Sequence, residues 1–151
     1  MTRTNRKTKL FLLFAVMGGV LAALTSATPV EAEGPDDLLI IANRNVKASK
    51  ISPEEAKAIF LKKKATFKGR KVIPINARDG SSLRKAFRSR VLGMGGNEEK
   101  AYWEELKVKK GESSPTEFGN TLKAVFSVKG SIGYCKRKDF KDGAAKVLAV
   151  L

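Results

Sequence analysis

The sequence predicts an α/β layered domain on three observations. Short apolar runs of strand length recur at residues 37–43, 71–76, 131–135 and 146–151. Between them lie helix-start signals followed by apolar residues at helical spacing. The resulting order (strand, helix, strand, helices, strand, strand) is that of a sheet layered with helices.

The N-terminus reads as a leader and not as part of the domain. "MTRTNRKTK" carries four cations and no acid, "LFLLFAVMGGVLAAL" is apolar, and "TSATPVEA" supplies small residues. That order describes a secretory signal peptide, expected over residues 1–32 with cleavage after Ala32 (after Ala27 is the alternative) and a domain over 33–151. The apolar run is shorter than the ~20 residues of a bilayer span, so no transmembrane segment is expected after cleavage and the location is expected to be periplasmic.

"DLLIIAN" then reads as a buried strand. In "ISPEEAKAIFLKKK", Ser52 precedes Pro53 at the first helical position, Glu55 completes a capping box, and Ala56, Ile59 and Phe60 share a face. "KATFKGRK" is a basic turn around Gly69. "KVIPIN" is a second strand, with Pro74 indicating an edge or an end. A helix follows with Leu83, Phe87 and Val91 at i, i+4, i+8 and Gly93 as its stop.

"GMGG" lacks the Gly-Lys-Ser/Thr end of a P-loop and reads as a link. "NEEKAYWEEL" is a third helix, capped by Asn97, with Glu98 and Glu99 at its positive end and Trp103 and Leu106 toward the core. "KVKKGE" reads as a basic turn. Ser114, Pro115 and Glu117 form another capping box, with Phe118, Leu122 and Val125 as the apolar stripe of its helix. "SIGYC" and "KVLAVL" are the closing strands.

Composition narrows the chemistry. With no histidine and a single cysteine, the commonest general base, the commonest metal ligand and a thiolate cluster are all missing. No catalytic residue, metal site or cofactor is expected, and Cys135 is expected to be a buried free thiol. Lys and Arg number 30 against 15 Asp and Glu, a formal charge of +15; without residues 1–32, which hold four cations and one acid, it is +12. Such a field attracts anions in general without selecting one.

The stretch "ARDGSSLRKAF" is where an anion would bind. A strand runs into a turn containing Gly80, and the helix that follows presents free backbone N–H groups. Ser81 and Ser82 add hydroxyls, and Arg78 and Arg84 can supply charge-assisted hydrogen bonds. The same residues also make an ordinary helix cap by Asp79 or Ser81.

In order, "LLIIAN", "ISPEEAKAIFLKKK", "KVIPIN", "DGSSLRKAF", "AYWEEL" and "GSIGYC" resemble the phosphate ABC transporter substrate-binding proteins, in particular their short single-lobe relatives, from about Leu38 to Lys138. The resemblance implies one lobe of a type 2 periplasmic-binding-protein-like fold, a mixed sheet flanked by helices. It implies inorganic phosphate or a similar oxyanion as ligand, held by Gly80, Ser81, Ser82, Arg84 and Arg78. The family usually reads Gly-Ser-Gly-Thr at this turn, and here Ser82 and Leu83 take the last two places; Arg78 also directly adjoins Asp79. A protein partner or self-association would complete the cleft, and no specific nucleic-acid binding is implied. The alternatives are an interaction module that has lost the ligand and a basic envelope protein that binds polyanions nonspecifically.

Overall fold

In a computed structural model of the chain, which describes Gly34 and residues 36–151, the first apolar run is strand β1 (Leu38–Ala42), buried along its whole length. The expected signal peptide, residues 1–32, lies outside the described residues. Among them no helix is long and apolar enough to cross a membrane.

Burial on both faces is what a central strand requires. β1 pairs antiparallel with β7 (Ser131–Lys136) on one side and with β8 (Lys146–Val150) on the other. β4 (Ile73–Pro74) adds to β7 in parallel as the outer strand, giving a mixed sheet in the order β4-β7-β1-β8. Pro74 thus sits on an edge, as expected of a residue with no N–H to donate.

The alternation of β1 divides the core. Leu38, Ile40 and Ala42 pack with Ile132, Tyr134 and Leu148 beneath helices α1 (Pro53–Phe60), α2 (Ser82–Phe87) and α3 (Gly96–Lys110). Leu39 and Ile41 face the other way, with Ile75 and Cys135, and α4 (Thr121–Ser127) covers them through Ala124 and Val125.

α1 follows its sequence signals. Ser52 Oγ accepts the Glu55 N–H at 3.1 Å, and Ala56, Ile59 and Phe60 are its buried face. The box is half-made, because the Glu55 carboxylate pairs with Lys64. The basic turn is a tight hairpin, β2 (Thr66–Phe67) and β3 (Arg70–Lys71), with Lys68 and Gly69 both at positive φ, as such two-residue loops demand.

Several expectations need correction. The run at 71–76 is not one strand: after Ile75, whose N–H still donates to the Ile132 carbonyl of β7 at 2.8 Å, β5 (Asn76–Ala77) pairs in parallel with β6 (Glu117–Phe118). β6 in turn replaces the helix start expected at Ser114, Pro115 and Glu117. Its carbonyls, with that of Thr116, accept the N–H groups of Asn76 and Arg78 at 2.9 and 3.2 Å. The backbone there satisfies a neighbouring strand, Phe118 is exposed, and α4 begins later, capped by Asn120 Oδ1 on the Lys123 N–H at 2.9 Å.

α3 starts at Gly96 with Gly95 as cap, not at Asn97; Glu98 reaches back to the Gly95 N–H. It also runs through the "KVKK" expected as a turn, ending at Gly111 in the left-handed region. α2 continues through one wider turn, Arg88–Leu92, and stops at Gly93, where the sequence placed its end.

Candidate functional site

The stretch 77–87 leaves β5, in the two-stranded ladder with β6, and turns into α2. Gly80 has φ +79°, a conformation that costs a side-chain-bearing residue and suits glycine. Ser81 is the N-cap: its Oγ accepts the Arg84 N–H at 3.1 Å, while its own N–H donates to the Arg78 carbonyl at 3.3 Å. The cap is therefore real. An Oγ that accepts from the helix still keeps its proton to donate outward.

The predicted ligand residues separate into two groups. Gly80, Ser82 and Arg78 are exposed and Ser81 is half-buried, all beside the turn, and the Arg78 guanidinium lies over Gly119. Arg84 is 2% exposed, and its guanidinium is turned into the protein. It pairs with Glu99 of α3 and donates through Nη1 to the Tyr134 hydroxyl at 3.1 Å. Its Nε has no hydrogen-bond partner among the described residues.

Glu99 is the centre of this arrangement. It is 4% exposed, pairs with both Arg84 and Arg88, and accepts from Trp103 Nε1 at 3.4 Å. Arg88 also pairs with Asp79, which closes a chain of alternating charge from α3 back to the turn. Burial alone would pull the Arg88 guanidinium down, but its bonds to Asp79 and Glu99 outweigh this and leave it above its ordinary value. Asp79 is held below the usual carboxylate range, first by the Arg88 hydrogen bond and then by the Gly80 N–H.

Tyr134 anchors the turn from beneath. Its hydroxyl accepts the Ala77 N–H at 2.9 Å, and its ring stacks on Phe87 with centroids 3.8 Å apart. Burial raises its pKa, so the phenol remains protonated. Glu117 adds a tie from above, accepting the Asp79 N–H at 3.0 Å. Between the turn, α3 and residues 113–117 opens a cleft of about 440 Å³, lined by Asp79, Arg84, Arg88, Glu99, Trp103 and Glu117 among others.

Sequence reasoning missed Glu99, Arg88, Tyr134 and Glu117. Two acids at a helix start carry an adequate local explanation in the helix dipole, and no local signal separates Glu98, which serves it, from Glu99, which does not. Among the described residues no cluster of three or more His, Cys, Asp and Glu is arranged to hold a metal ion.

No family profile matches the sequence, and no curated protein matches it significantly. Solved structures do match the fold. A protein from Clostridium perfringens, described as a phosphate ABC transporter substrate-binding protein with bound phosphate, superposes with a TM-score of 0.57 at 22% identity, covering 75% of this chain and 44% of that one. An ABC-type phosphate transport receptor from Vibrio cholerae gives a TM-score of 0.57 at 16% identity, covering 75% and 45%. The chain spans less than half the length of either. Its mixed sheet, flanked by helices, has the fold of an α/β lobe of the phosphate ABC transporter substrate-binding proteins.

Proposed function

We propose that the chain is an exported, non-enzymatic binding protein that takes phosphate or a similar oxyanion at the Gly80–Ser81–Ser82 turn. The observation that carries this reading is the turn itself. Gly80 at φ +79° opens onto a Ser81-capped helix start whose hydroxyl proton remains available, in a fold shared with a protein that has phosphate bound. In this reading Ser81 and Ser82 donate their hydroxyls and Ser82 its backbone N–H to the anion, and Arg78 supplies the exposed positive charge. Arg84 acts from beneath as a positioning residue, joining the first turn of α2 to Glu99 and Tyr134.

Export rests on the residues of the leader, 1–32, and absence of catalysis on a histidine-free composition together with binding proteins as structural neighbours. An anion held from one side keeps part of its hydration, which screens its charge. A partner or second copy across the turn would strengthen binding. One observation favours the second reading, an interaction module without ligand: Arg84 is committed inward.

Calorimetric titration of the purified protein with phosphate and sulfate decides between them. Saturable binding that weakens about tenfold in both Ser81→Ala and Arg78→Ala is the expected result, the loss of one charge-assisted bond each. Lack of heat at millimolar phosphate would overturn the anion-binding reading in favour of the module. Melting curves of both variants separate lost contact from lost cap.

A further inference from the structure

The sheet has a second charged end, away from the turn. Register places the last residue of β1, Ala42, opposite Ile132 and Lys146, and places Ile73 opposite Ser131. The start of β4, the start of β7, the start of β8 and the loop after β1 therefore gather at one pole. The Gly80 turn belongs to the other, where β1 begins and β7 ends at the Leu38–Lys136 pair.

Two neighbouring clefts open at the first pole and share Lys47. Lys50, Lys68 and Lys146 line one with it; Arg70, Lys71 and Lys129 line the other. No carboxylate lines either cleft. The sequence shows why: no acidic residue occurs between Asp37 and Glu54, between Glu55 and Asp79, or between Glu117 and Asp139. Among the described residues no ion pair neutralises these cations; Lys146 donates to the Val46 carbonyl at 3.0 Å, and Lys68 lies over the Phe67 ring.

We propose that this pole binds a linear chain of closely spaced phosphates, such as inorganic polyphosphate. A single orthophosphate can neutralise only part of one cleft, whereas a chain passing Lys47 engages both. Six of the seven cations are lysines, compact point charges that read charge density, not the planar geometry of a particular ligand. None of the exposed large apolar residues (Ile73, Val108, Phe118, Phe126, Val150) lines either cleft. The two clefts thus offer no exposed apolar wedge for a bilayer and no exposed stacking platform for bases.

The test is a binding titration of the purified protein with medium-chain polyphosphate, with orthophosphate and phosphatidylglycerol vesicles as the other arms. The double substitution Lys47→Glu/Lys71→Glu should weaken polyphosphate about tenfold or more, and added salt should weaken the wild type steeply. Lys109→Glu/Lys110→Glu, an equal change of charge on exposed positions of α3, should cost less than about twofold at the same salt. Ser81→Ala should leave polyphosphate binding unchanged, which keeps this test separate from that of the turn. Equal losses in the two double variants would overturn the proposal in favour of a general field. So would displacement by equimolar orthophosphate, or tighter binding to the vesicles than to the chain. Near-UV circular dichroism confirms that each variant is folded.

Discussion

Replacing Glu99 by Gln removes the carboxylate that Arg84 and Arg88 share while keeping nearly its shape. The side chains of Arg84 and Glu99 are 2% and 5% exposed, so the guanidinium left behind cannot be repaid by water. Breaking a buried pair by removing one partner costs about 3–5 kcal/mol. The Tyr134 hydroxyl, still 3.1 Å from Nη1, and the amide oxygen of Gln place this case near the lower end, about 3 kcal/mol. For a domain of this size that lowers the melting temperature by about 10–20 °C. Urea denaturation followed by Trp103 fluorescence and by far-ultraviolet circular dichroism measures the loss; Trp103 is the single tryptophan and touches Glu99 itself. As a control, Glu105→Gln breaks an exposed pair with Lys109 and should leave the midpoint where it was. The apolar double variant Arg84→Met/Glu99→Leu should recover part of the lost stability, since it removes the buried Arg84 charge and leaves only Arg88, which keeps its pair with Asp79. A loss below about 1 kcal/mol for Glu99→Gln, the size of an exposed pair, would refute the argument that this network is buried and shared.

Three further outcomes follow from the packing. Gly133→Ala places a Cβ 2.6 Å from Val125 Cγ2, under α4, and should cost about 1–3 kcal/mol in chemical denaturation. Asp79, held low by Arg88, should titrate below the ordinary carboxylate value of about 3.9 by NMR and move back toward it in Arg88→Ala. Because the folded value is the lower one, its small contribution to stability is present above about pH 4 and lost as pH falls through the folded value. Cys135 is 2% exposed and burial pushes its thiol up to about 12, so a thiol-reactive dye should label it only after unfolding. Rapid stoichiometric labelling of the native protein at neutral pH would count against that burial.

What could be read from the chain follows the range of the forces involved. β1, α1, the end of α2 and β7 carry their causes within a few residues: an unbroken apolar run, Ser52 with Pro53, Gly93 in the left-handed region, and "SIGYC". Ser114, Pro115 and Glu117 carry a local signal just as clear, and it failed. β5 needs acceptors for the N–H groups of Asn76 and Arg78, and residues 116–118 supply them. A strand bond across some 40 residues outweighed a cap worth about 1 kcal/mol.

The candidate site divides along the same line. The α/β order, the Gly80 turn, a helix cap at Asp79 or Ser81 and the excess of cations are legible in the chain, because each depends on sequence neighbours or on composition; packing selects Ser81 as the cap. Tertiary structure decided which charges face which. Position in the motif puts Arg84 on the anion side, and local sequence explains Glu99 by the helix dipole. Packing of α3 against α2 brings the two together beneath the turn, where neither faces open solvent. Lysines far apart in sequence gather at the opposite pole for an equally nonlocal reason: the register of four strands brings Lys47, Lys71, Lys129 and Lys146 to one end of the sheet.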